Sequence, residues 1–264
     1  AWRAAFAEAF DGDEAERRWQ AFYGAVLVEN TRRYVATMNA EPRWTAAKLD
    51  SAPKKPGTLL TLFDCLTCDI CVPVCPNDAN FTYQFERVLV PVRKAVRQGG
   101  AWAIADTGEI AANKKHQIGN FADFCNECGN CETFCPDLGG PYVLKPRFFG
   151  SLEQFELFGG HDGFYVRGGE AGEAGEAGKP SVGDQIWGRF EGRRYHLADQ
   201  GEGRFRFGHP GVGAALELDI EIDGDDARLI SDADDGTEVD LTYAFLLDGL
   251  RRAIVGMPAH YLSV

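Results

Sequence analysis

The chain carries eight cysteines, and all of them stand in two copies of one spacing. The first copy is Cys65-x2-Cys68-x2-Cys71-x3-Cys75, followed by Pro76; the second is Cys125-x2-Cys128-x2-Cys131-x3-Cys135, followed by Pro136. Cysteines at two-residue gaps converge only if the backbone wraps into a tight loop. Each copy therefore dictates its local conformation before any core is considered. Pro76 and Pro136 turn the chain away from that loop, because proline fixes φ and offers no N–H to a ladder. The fold has to seat two such loops on one scaffold.

This is the run by which bacterial-type ferredoxins hold two [4Fe–4S] clusters, each iron taking one thiolate. The fourth cysteine of a run cannot reach its own cube, since the chain leaves along a turn and short helix. In two-cluster ferredoxins it ligates the other cluster. Cluster I is accordingly assigned to Cys65, Cys68, Cys71 and Cys135, and cluster II to Cys125, Cys128, Cys131 and Cys75. A zinc site needs four thiolates and would leave four cysteines unexplained. A disulfide framework suits short secreted chains, and a thioredoxin-type redox pair would not repeat four times. The expectation is a chain that moves single electrons through two [4Fe–4S] clusters, with no sign of a [3Fe–4S] centre.

A length of 264 residues suggests about two domains, and 45% hydrophobic content is ample for a core. The net charge of −13 argues against nucleic-acid binding, which wants a basic face. It suits docking on a basic patch of a partner, or simply a soluble acidic surface. The N-terminal residues lack the apolar core of a signal peptide, and no apolar run approaches membrane-spanning length. Cysteines kept free for cluster assembly suit a reducing compartment, so a cytoplasmic location without membrane contact is expected. Ala1 in place of an initial methionine suggests a processed chain or a part of a longer one.

The expected fold class is α+β in three parts. Residues 1–57 form a helical segment and linker. Trp19, Phe22, Tyr23, Val26, Leu27 and Asn30 mark one helix face, with Asp11, Asp13 and Glu14 at its start and Arg32 and Arg33 at its end. Pro42 stops the helix, and residues 53–57 are a stiff linker. Residues 58–165 form a two-cluster ferredoxin-like domain, with strands at 58–63 and 81–85. The long 76–124 connection carries an insertion, with a hairpin turning at 106–109 between strands 102–105 and 110–112. Lys114, Lys115 and His116 read as a solvated basic loop. Residues 166–264 form a small β-rich domain closed by a helix. Its Glu-Ala-Gly repeats within 168–178 make a mobile, low-complexity loop rather than a phosphate cradle, since their glutamates would repel phosphate. Strands are expected at 185–190, 193–197, 204–207, 215–222 and 227–230, with a helix at 240–255 before Pro258. Asp232 to Gly236 fail the calcium-loop pattern, because glycine stands at its fifth position rather than its sixth. His116, His161, His196, His209 and His260 have no ligand spacing to one another. The first cysteine loop carries Leu66, Ile70, Val72 and Val74 as an apolar sheath. The second carries Asn126, Glu127, Gly129, Asn130 and Glu132, so the two clusters are expected to have unequal potentials.

The second motif, Phe124-Cys-Asn-Glu-Cys-Gly-Asn-Cys-Glu-Thr-Phe-Cys-Pro136 with Gly140-Pro-Tyr142, resembles the C-terminal ferredoxin segment of large iron–sulfur flavoproteins. That group goes under the name of selenate reductase subunits and is similar to the glutamate synthase small subunit. The first motif, from Phe63 to Asn80, fits the same group, and the C-terminal two-cluster domain of dihydropyrimidine dehydrogenase is a more distant likeness. The resemblance covers roughly residues 50–165 and carries over all eight cysteines as cluster ligands; the β-rich tail lies outside it. It implies a separate flavin (FAD or FMN) and NAD(P)H module, on another domain or subunit, exchanging electrons with the clusters. A redox acceptor protein is the other expected partner. The alternatives are a free-standing ferredoxin-like carrier and a binding protein with structural iron–sulfur clusters. No catalytic residue is expected within this chain.

Overall fold

The computed structural model describes residues 2–41, 65–85, 89–112, 114, 116–136, 141–169, 182–211 and 215–257. The chain divides into two compact units, residues 1–55 and 56–264. The expected linker at 53–57, the strand at 58–63, residues Pro42, Lys115, Gly140 and Pro258, and all of the repeat loop but its first two residues lie outside the described residues.

The first unit contains helices α1 (Trp2–Ala9) and α2 (Gly12–Ala40), the second beginning among Asp11, Asp13 and Glu14 as expected. The break at Phe10 and Asp11 lets α1 fold back, and Phe6 packs its ring on Trp19 and Phe22 at centroid distances of 5.8 and 5.2 Å. Asp13 and Glu14 occupy the first turn of α2, where carboxylates meet the positive end of the helix dipole. Glu14–Arg18 and Glu29–Arg33 pairs span single turns along its surface. Arg32 and Arg33 sit well before the end rather than at it. The short α1 covers only the beginning of the apolar stripe, so Tyr23 and Leu27 remain about half exposed.

The second unit is built on a nine-stranded sheet in the order β1-β4-β5-β6-β7-β8-β9-β10-β11. Strands β1 (Asn80–Tyr83) and β4 (Gln117–Phe121) pair antiparallel, and β4, β5 (Arg147–Phe148) and β6 (Gly163–Arg167) run parallel. From β6 the chain meanders antiparallel through β7 (Gln185–Phe190), β8 (Arg193–Gly201), β9 (Arg204–His209), β10 (Leu216–Asp223) and β11 (Asp226–Leu229). A small sheet of β12 (Glu238–Asp240), β2 (Leu89–Gln98) and β3 (Ala101–Ala111) stands beside it. Three short helices, α3 (Asn130–Thr133), α4 (Pro141–Leu144) and α5 (Leu152–Leu157), punctuate the path from β4 to β6. Helix α6 (Thr242–Val255) lies between the sheets, packing on β2 and on β6 to β8.

Alternation explains the sheet: Leu218, Ile220 and Ile222 of β10 point inward with Phe205 and Phe207 of β9, meeting Phe245, Leu246, Leu250 and Ile254 of α6. One polar cluster is enclosed there. Arg251 is 1% exposed and pairs with Asp184 (3.2 Å), Asp199 (3.0 Å) and Asp248 (2.9 Å), tying α6 to β7 and β8. His196 is likewise structural, stacked on Trp187 at 4.5 Å and bonded to Gln185. Burial drives its pKa down to about 4.

Two expectations are corrected. Residues 58–165 and 166–264 are not separate domains: the boundary falls inside β6, and sheet and core run across it. The insertion is also a hairpin of a different kind. Its turn is Gly99-Gly100, both at positive φ (58° and 77°), as a two-residue hairpin turn requires. Residues 106–109 instead stay within β3, where Thr107 is the extra residue of a bulge opposite Val92 and Arg93. Pro91 hid strand β2; β12 pairs only with Lys94 to Val96, so Pro91 has one strand neighbour rather than two. The acidic 232–236 segment braces this hairpin, Asp235 accepting from the Gly99 and Gly100 N–H groups at 3.0 and 3.2 Å.

Candidate functional site

The two cysteine loops leave the same end of the sheet. The first leads into β1, and the second runs from β4 to α3. They repeat one hydrogen-bond pattern. In the first, the Val72 N–H donates to the Asp69 carbonyl (3.0 Å) and the Cys75 N–H to the Val72 carbonyl (3.2 Å). At the matching positions of the second, Glu132 donates to Gly129 (3.0 Å) and Cys135 to Glu132 (3.2 Å). Left-handed backbone recurs at matching positions too: Thr67 and Glu127, then Asp69 and Gly129. Exposure follows the repeat, with Cys71 and Cys131 buried, Cys68 and Cys128 exposed, and the other four between.

The loops are held together by two side chains that the sequence reading did not single out. Asn80 of β1 is buried and donates to the Cys71 carbonyl at 2.9 Å. Asn120, its register partner on β4, donates to the Asn80 side-chain oxygen at 2.9 Å. The Asn80 side chain also hydrogen-bonds Cys131, so one amide touches both loops. Residues 80–85 alternate polar with aromatic side chains, so nothing in the pattern set Asn80 apart from Thr82 and Gln84. Ile118 packs between Cys71 and Cys131.

Electrostatic proximity links thiols across the two motifs. The Cys65 thiol is raised by burial, eased by the Thr67 N–H and Lys145, and raised again by Cys68 and Cys135. Cys71 is pushed up to about 12 by burial and by Cys65, Cys68, Cys131 and Cys135. Cys131 is raised by burial, eased by the Tyr142 N–H and Asn80, and raised by Cys125 and Cys75. Cys135 of the second motif thus stands with Cys65 and Cys71, and Cys75 of the first with Cys131. Backbone donors reach sulfur at Thr67 to Cys65 (3.4 Å) and Ala79 to Cys75 (3.3 Å).

All eight cysteines are free thiols. Among the described residues, no three His, Cys, Asp or Glu side chains converge as the ligands of one ion would. A [4Fe–4S] cube would take four thiolates, one on each iron, and eight cysteines are enough for two. The raised thiols are protonated as they stand, so loading any metal here would release protons.

The surroundings differ from expectation in two places. Leu66 and Ile70 are 40% and 41% exposed rather than sheathing, and only Val72 and Val74 pack inward. His116 is buried and bonded to Asp69 of the first loop, so it is no solvated basic spot. In the second loop, Glu127 is bound by Arg147 at 2.7 Å, which holds its carboxyl below the usual range. The Tyr142 hydroxyl donates to Glu132 at 3.0 Å.

Part of this chain has a named relative. "Putative oxidoreductase YgfK" of Escherichia coli K12 is 32% identical over 89 residues, 34% of this chain and 6% of that protein. Its counterpart in Escherichia coli O157:H7 matches equally. The matched stretch is a small fraction of those relatives' length. No protein-family model and no solved structure matches the chain. No helix among the described residues is long and apolar enough to cross a membrane.

Proposed function

We propose that this chain transfers electrons through two [4Fe–4S] clusters, as a module or subunit of a flavin- and NAD(P)H-linked oxidoreductase. The observation that carries the reading is a pair of cysteine loops of one conformation at one end of the sheet, with thiols of each motif lying near thiols of the other. The partial likeness to a protein named as an oxidoreductase supports the redox class. Clusters bound at these positions would each accept and release one electron. The chain's own residues supply the rest. The left-handed turns aim thiols and N–H groups inward, and Asn80 fixes the spacing between the loops. The sheet beneath excludes water from Cys71 and Cys131. Flavin and nicotinamide sites belong to a separate flavoprotein domain or subunit in this reading. The acidic surface would meet a basic patch on an acceptor, in a reducing, cytoplasmic setting.

Anaerobically purified protein should contain about eight irons and as many acid-labile sulfides, the content of two cubes. Its visible absorbance should bleach with dithionite and return on reoxidation. Iron that does not reduce reversibly would favour structural clusters in a binding protein, and zinc in place of iron would end the electron-transfer reading.

A further inference from the structure

One face of the β-meander is turned away from α6. Gly188 of β7 faces Leu247 of that helix, so its neighbour Trp187 points the other way. On this outer face, register aligns one row of residues strand by strand. Tyr165 of β6 stands opposite Trp187, Trp187 opposite His196 of β8, His196 opposite Gly208 of β9, and Gly208 opposite Glu217 of β10. The first three rings stack, Tyr165 on Trp187 at 5.4 Å and Trp187 on His196 at 4.5 Å, with interplanar angles of 30° and 25°. Facing residues of neighbouring strands stand roughly 4.5–5.5 Å apart, so each strand adds one ring to the ladder. At Gly208 the ladder stops for want of a side chain.

Glycine inside a strand costs stability and marks a place that another group approaches closely. A Cβ at Gly208 would lie 3.1 Å from the His196 Cβ and 2.9 Å from Oε1 of Glu217. The gap therefore sets the second face of the imidazole against a carboxylate. A cavity of about 370 Å³ opens there, its wall including Trp187, Arg194, His196, Gly208, Pro210 and Glu217. That is the size of a small-molecule site. The neighbouring guanidiniums are committed: Arg194 to Glu156 at 2.7 Å, and Arg206 to Asp219 at 2.9 Å. Arg206 also lies 3.6 Å from Oε2 of Glu217, which leaves Oε1 turned to the gap. Burial, with Arg194 and Arg167 nearby, keeps His196 uncharged at neutral pH, so its ring offers a neutral stacking face.

We propose that this slot binds a small planar nitrogen heterocycle, stacked on His196 where Gly208 leaves room and donating an N–H to the Glu217 carboxylate. The inserted ring extends the Tyr165–Trp187–His196 ladder by one member at the same spacing. The Glu217 side chain is 52% exposed, so its carboxylate swings from above the gap to the edge of the ring. There it accepts a charge-assisted hydrogen bond. A hydrocarbon ring would instead leave the carboxylate against apolar surface, at a cost. His196, beyond its structural role, is the shelf, and Glu217 selects for N–H donors. The site does not depend on what the cysteine loops hold.

The test is calorimetric titration of the full chain with 2-aminobenzimidazole, a planar ring bearing N–H donors, and with 1-methylbenzimidazole, which has none. The first should bind one to one, with a dissociation constant on the order of 1 mM or tighter for a ligand this small. The second should bind at least about tenfold more weakly, having no donor for the carboxylate. Glu217→Gln should weaken the first probe by a similar factor, and Gly208→Val, which fills the gap, should abolish its binding. Circular dichroism checks that each variant is folded; if Gly208→Val is not, Glu217→Gln on the exposed surface carries the test. No saturable binding to the wild-type chain overturns the site, as does binding that neither substitution changes. Equal affinity for the two probes overturns the selection for N–H donors.

Discussion

Thr67, Asp69 and Glu127 hold left-handed backbone at φ of 53°, 61° and 56°, where an L-residue loses about 1–2 kcal/mol. Only Gly129, the fourth equivalent position, takes that conformation without penalty. Strain repeated at matched positions of two loops reflects a common demand on their thiols. The likeness of the two loops was legible from their shared spacing, because the same residue gaps impose the same turns. Asn80 and Asn120 were not, since a single polar residue declares nothing until its neighbours are known. The crossed sets make a direct prediction. Cys135→Ser should perturb the same redox signal as Cys68→Ser, and Cys75→Ser the same one as Cys128→Ser, read by EPR of each single variant. Pairing within each motif instead, Cys75 with Cys68, would contradict the crossing.

At the scale of elements, β1 and β4 carry the cysteine loops, and their approach depends on Gly119. A Cβ there would sit 2.6 Å from the Phe81 ring and 3.0 Å from that of Phe148. Gly119→Ala should therefore displace the rings beneath the loops and cost about 1–3 kcal/mol, as overpacking does. Urea denaturation is the measurement, and an unchanged midpoint would show that the rings yield freely. Elements with plain periodicity were legible. β7 and β10 fall within a residue of expectation, and α6 within two. β2 was hidden by Pro91, and the true turn at Gly99-Gly100 was passed over for a more polar tetrapeptide. β12 is too short, at three residues, for any alternation to register.

For the whole second unit, the decisive fact is that the cysteine loops and the β-rich tail share one core. Phe81 and Tyr83 of β1 belong to the same buried cluster as Phe207, Leu218 and Phe245. Sequence could not show this, because the pairings that join the halves, β4 with β5 and β5 with β6, are short and parallel. Residues 56–264 should consequently unfold in one transition, with labelling of Cys71 and Cys131 in metal-free protein tracking the loss of strand signal in circular dichroism. Two separated transitions within this unit would restore the independent ferredoxin-like domain.

The central claim is that two clusters sit close enough, on one scaffold, to pass an electron between them. The most direct measurement is the EPR spectrum of the fully reduced protein, purified without air. Two S = 1/2 signals, broadened and split by each other and integrating to about two spins per chain, are predicted for the two-cluster motif. A single uncoupled signal, or none at any accessible potential, would contradict it.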